Sequence, residues 1–204
     1  MPTPAQPQVE DLITQARALL TQMHASGLGP FLNEWPKSST IREVASKSLP
    51  VLQWLSRVHE FAPPFSARFV DSFVAVAPAL AWQRSYTIAN VSAAFLGGYG
   101  WTELMGLMGP TPSEHLACGL LLLGPSLIYP PHRHEAEEVY VPLAGTAAWK
   151  RGNEPWHEQP PGSLIHHARH EPHAMRTTAE PLLALYLWRS ENLAQKSQLD
   201  AEPT

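Results

Sequence analysis

The sequence predicts a mainly β fold: a β-barrel over residues 101–192, a helical N-terminal extension over 1–100 packed on it, and a polar tail over 193–204. Three observations lead there. After Trp101 the chain runs in short segments rich in Val, Leu, Tyr and Trp, broken by Gly or Pro about every 8–12 residues, the pattern of a sandwich or barrel. Before that point apolar residues recur at helical spacing. The 21 prolines among 204 residues are about twice the average usage and imply many turns and few long helices.

The elements follow in order. From Val9 to His24, apolar residues at Leu12, Ala16, Leu19, Leu20 and Met23 mark an amphipathic helix, with Gly27 as its stop. A second helix fits Val51 to Phe61, where Leu52, Leu55, Val58 and His59 share a face between Pro50 and Pro63-Pro64. A third runs from Ser66 to Gln83, kinked or split at Pro78. The strands expected are Trp101–Leu107, His115–Leu123, Ser126–Tyr129, Glu138–Leu143, Thr146–Lys150, Trp156–Gln159, Leu164–His166, His173–Thr177 and Leu182–Trp188. Cys118–Leu123 is apolar throughout rather than alternating, as a strand buried on both faces should be.

Composition narrows the function. Charged residues are 16% and hydrophobic ones 44%, so the bulk of the chain folds. The net charge is −4, and the 14 Lys and Arg are scattered, which argues against nucleic acid as partner. Cys118 is alone and among apolar neighbours, so it reads as a core thiol; a disulfide or cysteine-based zinc site is excluded. Met1 to Pro7 offers neither a basic nor an apolar stretch, and no signal peptide is expected. Leu120–Leu123 is far short of the ~18 residues of a membrane span. A soluble, cytoplasmic protein acting on a small molecule is the expectation.

Histidine carries the chemistry. Seven of the ten lie between His132 and His173. Side chains two apart on a strand share a face, so His132 and His134 project together, as do Glu138 and Tyr140 on the following strand. Two imidazoles, a carboxylate and a phenol form a nitrogen and oxygen ligand set suited to Fe(II), Mn, Zn, Ni or Cu, with too few carboxylates for Ca or Mg. Of the others, His157, Glu135 and Glu137 read as surface groups. His166, His167 and His170 fall near a rim, with His166 the best of them for function.

The spacing His-x-His-x3-Glu-x6-Gly, here His132, His134, Glu138 and Gly145, resembles the first motif of the cupin superfamily. Gly162 followed eleven residues on by Pro172-His173 resembles the second, with Ala168-Arg169-His170 where that motif usually has a Pro-x-Gly turn. The resemblance implies a cupin (jelly-roll) barrel. It narrows further at Tyr140, at Tyr129 before the first histidine, at the His173–Thr177 run and in the helical N-terminus, which look like the cupin-type dimethylsulfoniopropionate lyases. That family implies one divalent transition metal, Fe(II), Mn(II) or Zn(II), on His134, Glu138, Tyr140 and His173, with His132 as ligand or neighbour. On this reading Tyr140 and Tyr129 are the expected catalytic groups, and Tyr129, His132, His166 and Trp188 are expected around the substrate. Alternatives are a cupin Fe(II) dioxygenase, another metal-dependent enzyme on a small carboxylate, or a non-catalytic ligand-binding cupin. Cupins often pair, so a homodimer is a further possibility.

Overall fold

Successive side chains along each central strand enter different cores, and this two-sidedness sets the architecture. The structure is a computed structural model and describes residues 6–37 and 40–200. Its strands are β1 (Tyr99–Gly106), β2 (Thr111–Pro112), β3 (Leu116–Leu123), β4 (Ile128–Arg133), β5 (Glu137–Ala144), β6 (Ala147–Arg151), β7 (His157–Gln159), β8 (Ile165–His167), β9 (His173–Thr177), β10 (Leu182–Arg189) and β11 (Gln198–Leu199). One sheet has the order β2-β1-β3-β10-β5-β8 and the other β11-β4-β9-β6-β7. The nine longer strands fall within a few residues of the expected segments.

On β3, Leu116, Cys118, Leu120 and Leu122 enter one core with the helices, while Ala117, Leu121 and Leu123 enter a second core inside the barrel. β5 divides likewise: Val139, Val141 and Leu143 face the helices, Tyr140 faces inward. Each side of the larger sheet therefore has apolar cover, which is why the Leu120–Leu123 run does not alternate.

The helical layer departs from the sequence expectation in detail. Helix α1 (Gln6–Gln22) buries Val9, Leu12, Ile13, Ala16, Leu19 and Leu20. It stops before Gly27, because His24 takes a left-handed φ of 50°, a conformation His tolerates better than most residues. A short α2 (Gly29–Asn33) follows. The expected helix over 51–61 is a 3₁₀ turn (Pro50–Trp54), one α-turn, α3 (Leu55–Val58), and another 3₁₀ turn (His59–Phe61). Val51, Leu55 and Val58 are its buried residues and His59 is exposed. Helix α4 (Pro64–Val76) passes into a 3₁₀ turn at Ala77–Ala79 and ends there, so the helix does not reach Gln83. Pro78 lacks an N–H for the helical ladder, and residues 81 and 83 bridge to Lys47 and Trp101 instead. Helix α5 (Ala93–Gly98), not expected, is capped by Ser92, whose Oγ accepts from the Phe95 N–H.

The segment after Asn192 packs on the smaller sheet. Gln198 and Leu199 pair with Arg133 and His132, the Asp200 N–H donates to Pro131 O at 2.9 Å, and Asp200 meets Arg133 at 3.1 Å. No helix among the described residues is long and apolar enough to cross a membrane.

Candidate metal centre

The site begins with an irregularity in β4. Tyr129 pairs with Met175 and His132 with His173, with a register shift between them. Residues three apart face opposite ways on a regular strand; the extra residue at Pro130-Pro131 turns both Tyr129 and His132 inward. Proline suits the bulge because it has no ladder N–H to lose.

Three histidines converge. Ring nitrogens of His132, His134 and His173 lie within 4.8 Å of one another, all buried. Each Nδ1 sits on a backbone carbonyl: His132 on Pro130 O at 2.9 Å, His134 on Ala136 O at 2.8 Å and His173 on Glu171 O at 2.9 Å. A carbonyl only accepts, so each Nδ1 is protonated and held on the backbone, and each Nε2 is left facing the site, the orientation in which an imidazole can bind a metal. Burial, with His173 beside it, holds the His132 ring well below its usual pKa and therefore neutral.

Glu138 completes the set from the opposite sheet. Its Oε2 lies 2.9 Å from His134 Nε2 and 3.2 Å from His173 Nε2, and the latter pair is out of hydrogen-bond alignment. Burial alone would raise this carboxyl, but His134 and His173 outweigh it and hold Glu138 well below the usual carboxylate range. Three imidazole nitrogens and one carboxylate, with His173 Nε2 unsatisfied by any protein group, fit a divalent metal ion.

The inward rows of the larger sheet supply the rest. Trp188 pairs with Glu138, and Glu138 with His167; in the next row Tyr186 pairs with Tyr140, and Tyr140 with Ile165. Cross-strand partners share a face. Trp188 donates its indole N–H to Glu138 Oε1, and its ring lies 4.2 Å from the His134 ring. Tyr140 is buried beside Glu138; burial first, then that carboxylate, push its hydroxyl well above the ordinary phenol value. Tyr129 stacks on His132 at 4.0 Å, nearly parallel, with its hydroxyl 3.2 Å from Tyr99 OH and 3.4 Å from Tyr86 OH.

His132, His134, Glu138, Tyr140, His173, Tyr129 and Trp188 are thus in one place, and His166 is elsewhere. It lies on the outer face, exposed, with Nε2 2.8 Å from Glu137. The inward histidine of β8 is His167, fully buried and stacked on His173 at 3.9 Å. The register of β8 against β5 sets the faces: His167 pairs with the inward Glu138 and His166 with the outward Val139. Ile165 was the usable signal, since an apolar β-branched residue belongs inside and carries His167 with it. Tyr86, Phe95 and Tyr99 also pack around Tyr129, and no spacing links them to the histidine motif. His157 and His170 are exposed.

Comparison with known proteins places this arrangement. The family model for dimethylsulfoniopropionate lyase matches residues 32–184. The chain belongs to the dimethylsulfoniopropionate lyase family. Within that family it is 30% identical to the lyase DddQ of Ruegeria pomeroyi over 189 residues, 93% of this chain and 92% of that protein. A putative lyase of the family, DddL of Cereibacter sphaeroides, is 36% identical over 115 residues, 55% of this chain and 47% of that protein. The crystal structure of the R. pomeroyi lyase superposes with a TM-score of 0.88 at 28% identity, covering 98% of this chain and 100% of that one. A structure reported with the lyases RdDddP and RnDddQII gives 0.85 at 30% identity, covering 96% and 99%. The family's cupin barrel with N-terminal helices is the fold of this chain.

Proposed function

We propose that the chain cleaves dimethylsulfoniopropionate to dimethyl sulfide and acrylate by β-elimination, with Tyr140 as the base. The observation that carries the reading is a family match over residues 32–184 on a chain whose barrel brings a phenol, a carboxylate and three metal-ready imidazoles together.

His132, His134, His173 and Glu138 would hold the ion, with Tyr140 at its edge; the donor set suits Fe(II), Mn(II) or Zn(II) alike. When bound, the ion supplies positive charge that favours the Tyr140 phenolate over the phenol and disperses the charge that grows on the substrate carboxylate. The protein's own part is then acid–base work and binding. Tyr140 takes the proton alpha to the carboxylate; the carbon electron pair forms the new double bond, and the carbon–sulfur bond breaks with its pair on sulfur. Dimethyl sulfide leaves neutral, and one proton is released per turnover. Tyr129 and Trp188 offer aromatic faces to the sulfonium, a contact of about 0.5–2 kcal/mol. Their packing on His132 and His134 fixes those faces beside the ligands.

The test is headspace detection of dimethyl sulfide from protein loaded separately with each of the three metals. Wild type should release it only when loaded, and Tyr140→Phe should abolish release with metal content unchanged. Normal turnover in that variant would remove Tyr140 as base, and no release with any metal would remove the lyase reading.

A further inference from the structure

The proposed substrate carries an anion as well as a sulfonium, and most of the buried donors near the metal ligands are already spent. The Nδ1 atoms of His132, His134 and His173 are on backbone carbonyls, the Trp188 indole N–H is on Glu138, and the Tyr129 hydroxyl bonds to tyrosines. Apart from His173 Nε2, which faces the proposed ion, two inward-facing side chains keep polar atoms that no protein group satisfies: both ring nitrogens of His167, and Nε1 of Trp149. Both residues are buried, at 0% and 2% exposure, and each ring centre lies 6.2 Å from that of Tyr140. A buried donor without an acceptor is costly, so such a pair beside the reacting group calls for a ligand.

His167 is not placed to join the metal ligands. Its ring is parallel to that of His173, 9° between planes and 3.9 Å apart. A lone pair lies in the ring plane, so stacked rings do not aim at one ion. The nearest carboxylate, Glu171, is 3.8 Å from Nδ1, beyond hydrogen-bond length. A neutral imidazole still carries one N–H.

We propose that His167, assisted by the Trp149 indole, donates a hydrogen bond to the carboxylate of the substrate and of its acrylate product, binding the anionic end beside Tyr140. This rests on the lyase reading for the substrate's identity, while carboxylate binding can be judged without turnover.

Acrylate is titrated calorimetrically into zinc-loaded wild type, His167→Phe, His167→Gln and Trp149→Phe, with metal content measured for each. His167→Phe keeps the stack on His173 and loses both nitrogens; His167→Gln gives up the stack and keeps an N–H donor. His167→Phe should weaken acrylate binding about tenfold at unchanged metal content and raise KM for dimethylsulfoniopropionate by a similar factor, with kcat within about twofold. His167→Gln should stay within about threefold of wild type for acrylate, and Trp149→Phe should fall between. Acrylate binding unaffected in His167→Phe, weakened only in step with lost metal, or undetectable in wild type would each overturn the proposal. Wild type that releases no dimethyl sulfide yet binds acrylate through His167 would remove the lyase reading and leave the carboxylate site standing.

Discussion

At Gly145 the backbone has φ +79°, and a Cβ there would sit 2.0 Å from Pro181 O. Alanine pays about 1–2 kcal/mol for a left-handed backbone and must also displace main chain, at about 1–3 kcal/mol. Gly145→Ala should therefore lower Tm by roughly 4–20 °C, at 2–4 °C per kcal/mol for a chain of this size. A thermal melt within 2 °C of wild type would refute it. This glycine was legible because it closes a motif, and the inward histidines were legible for a related reason: His132, His134, Glu138 and Tyr140 sit at even spacing, which a strand turns into a shared face. His167 was not, because the register of β8 against β5 decides between it and His166. Tyr86 and Tyr99 lay beyond reach altogether. They approach Tyr129 only once β1 and the loop before α5 are in place, contacts that no local pattern encodes.

Among the elements, β5 links the site to the surface. It lies between β10 and β8, with Glu138 inward and the neighbouring Glu137 outward, where it binds Arg189 and His166. Burial pushes the Glu137 carboxyl up, but His166 and Arg189 outweigh it and lower it overall. A carboxyl lowered by folding contributes stability above its unfolded pKa of about 4.3, and that contribution is lost as pH falls through the folded value. Wild type should accordingly be more stable than Glu137→Gln at pH 6, with the gap closing in acid. Chemical denaturation at pH 6 and pH 3.5 checks this, and equal gaps at both would contradict it. Strands like β5 were readable because short apolar runs between turn residues have few other folds to adopt. The helical layer was less so. Ala93–Gly98 ends in two glycines, poor helix formers, and holds through its Ser92 cap and the burial of Phe95. Over 50–61 proline and packing break one helix into three short turns.

For the molecule as a whole, the centre bridges the two sheets. His132 and His173 come from β4 and β9 of the smaller sheet, His134 from the turn after β4, and Glu138 from β5 of the larger one. An ion held by all four binds only the folded chain, because the unfolded chain does not keep these donors together. Ligand binding of this kind stabilises by about 2.7 kcal/mol at a hundredfold excess over Kd, or roughly 5–10 °C in Tm for a chain of this size. Without the ion, the barrel keeps its two apolar cores and loses only this link, so chelation should lower Tm without unfolding the protein at room temperature. Scanning fluorimetry of loaded protein, chelator-treated protein and protein reloaded with Zn(II) should show the drop and its recovery. Glu138→Gln keeps the shape of the side chain but removes the charge proposed to hold the ion, and its Tm should respond far less to chelator. Wild-type melts that superimpose with and without metal would mean that the four side chains do not bind an ion tightly enough to join the sheets.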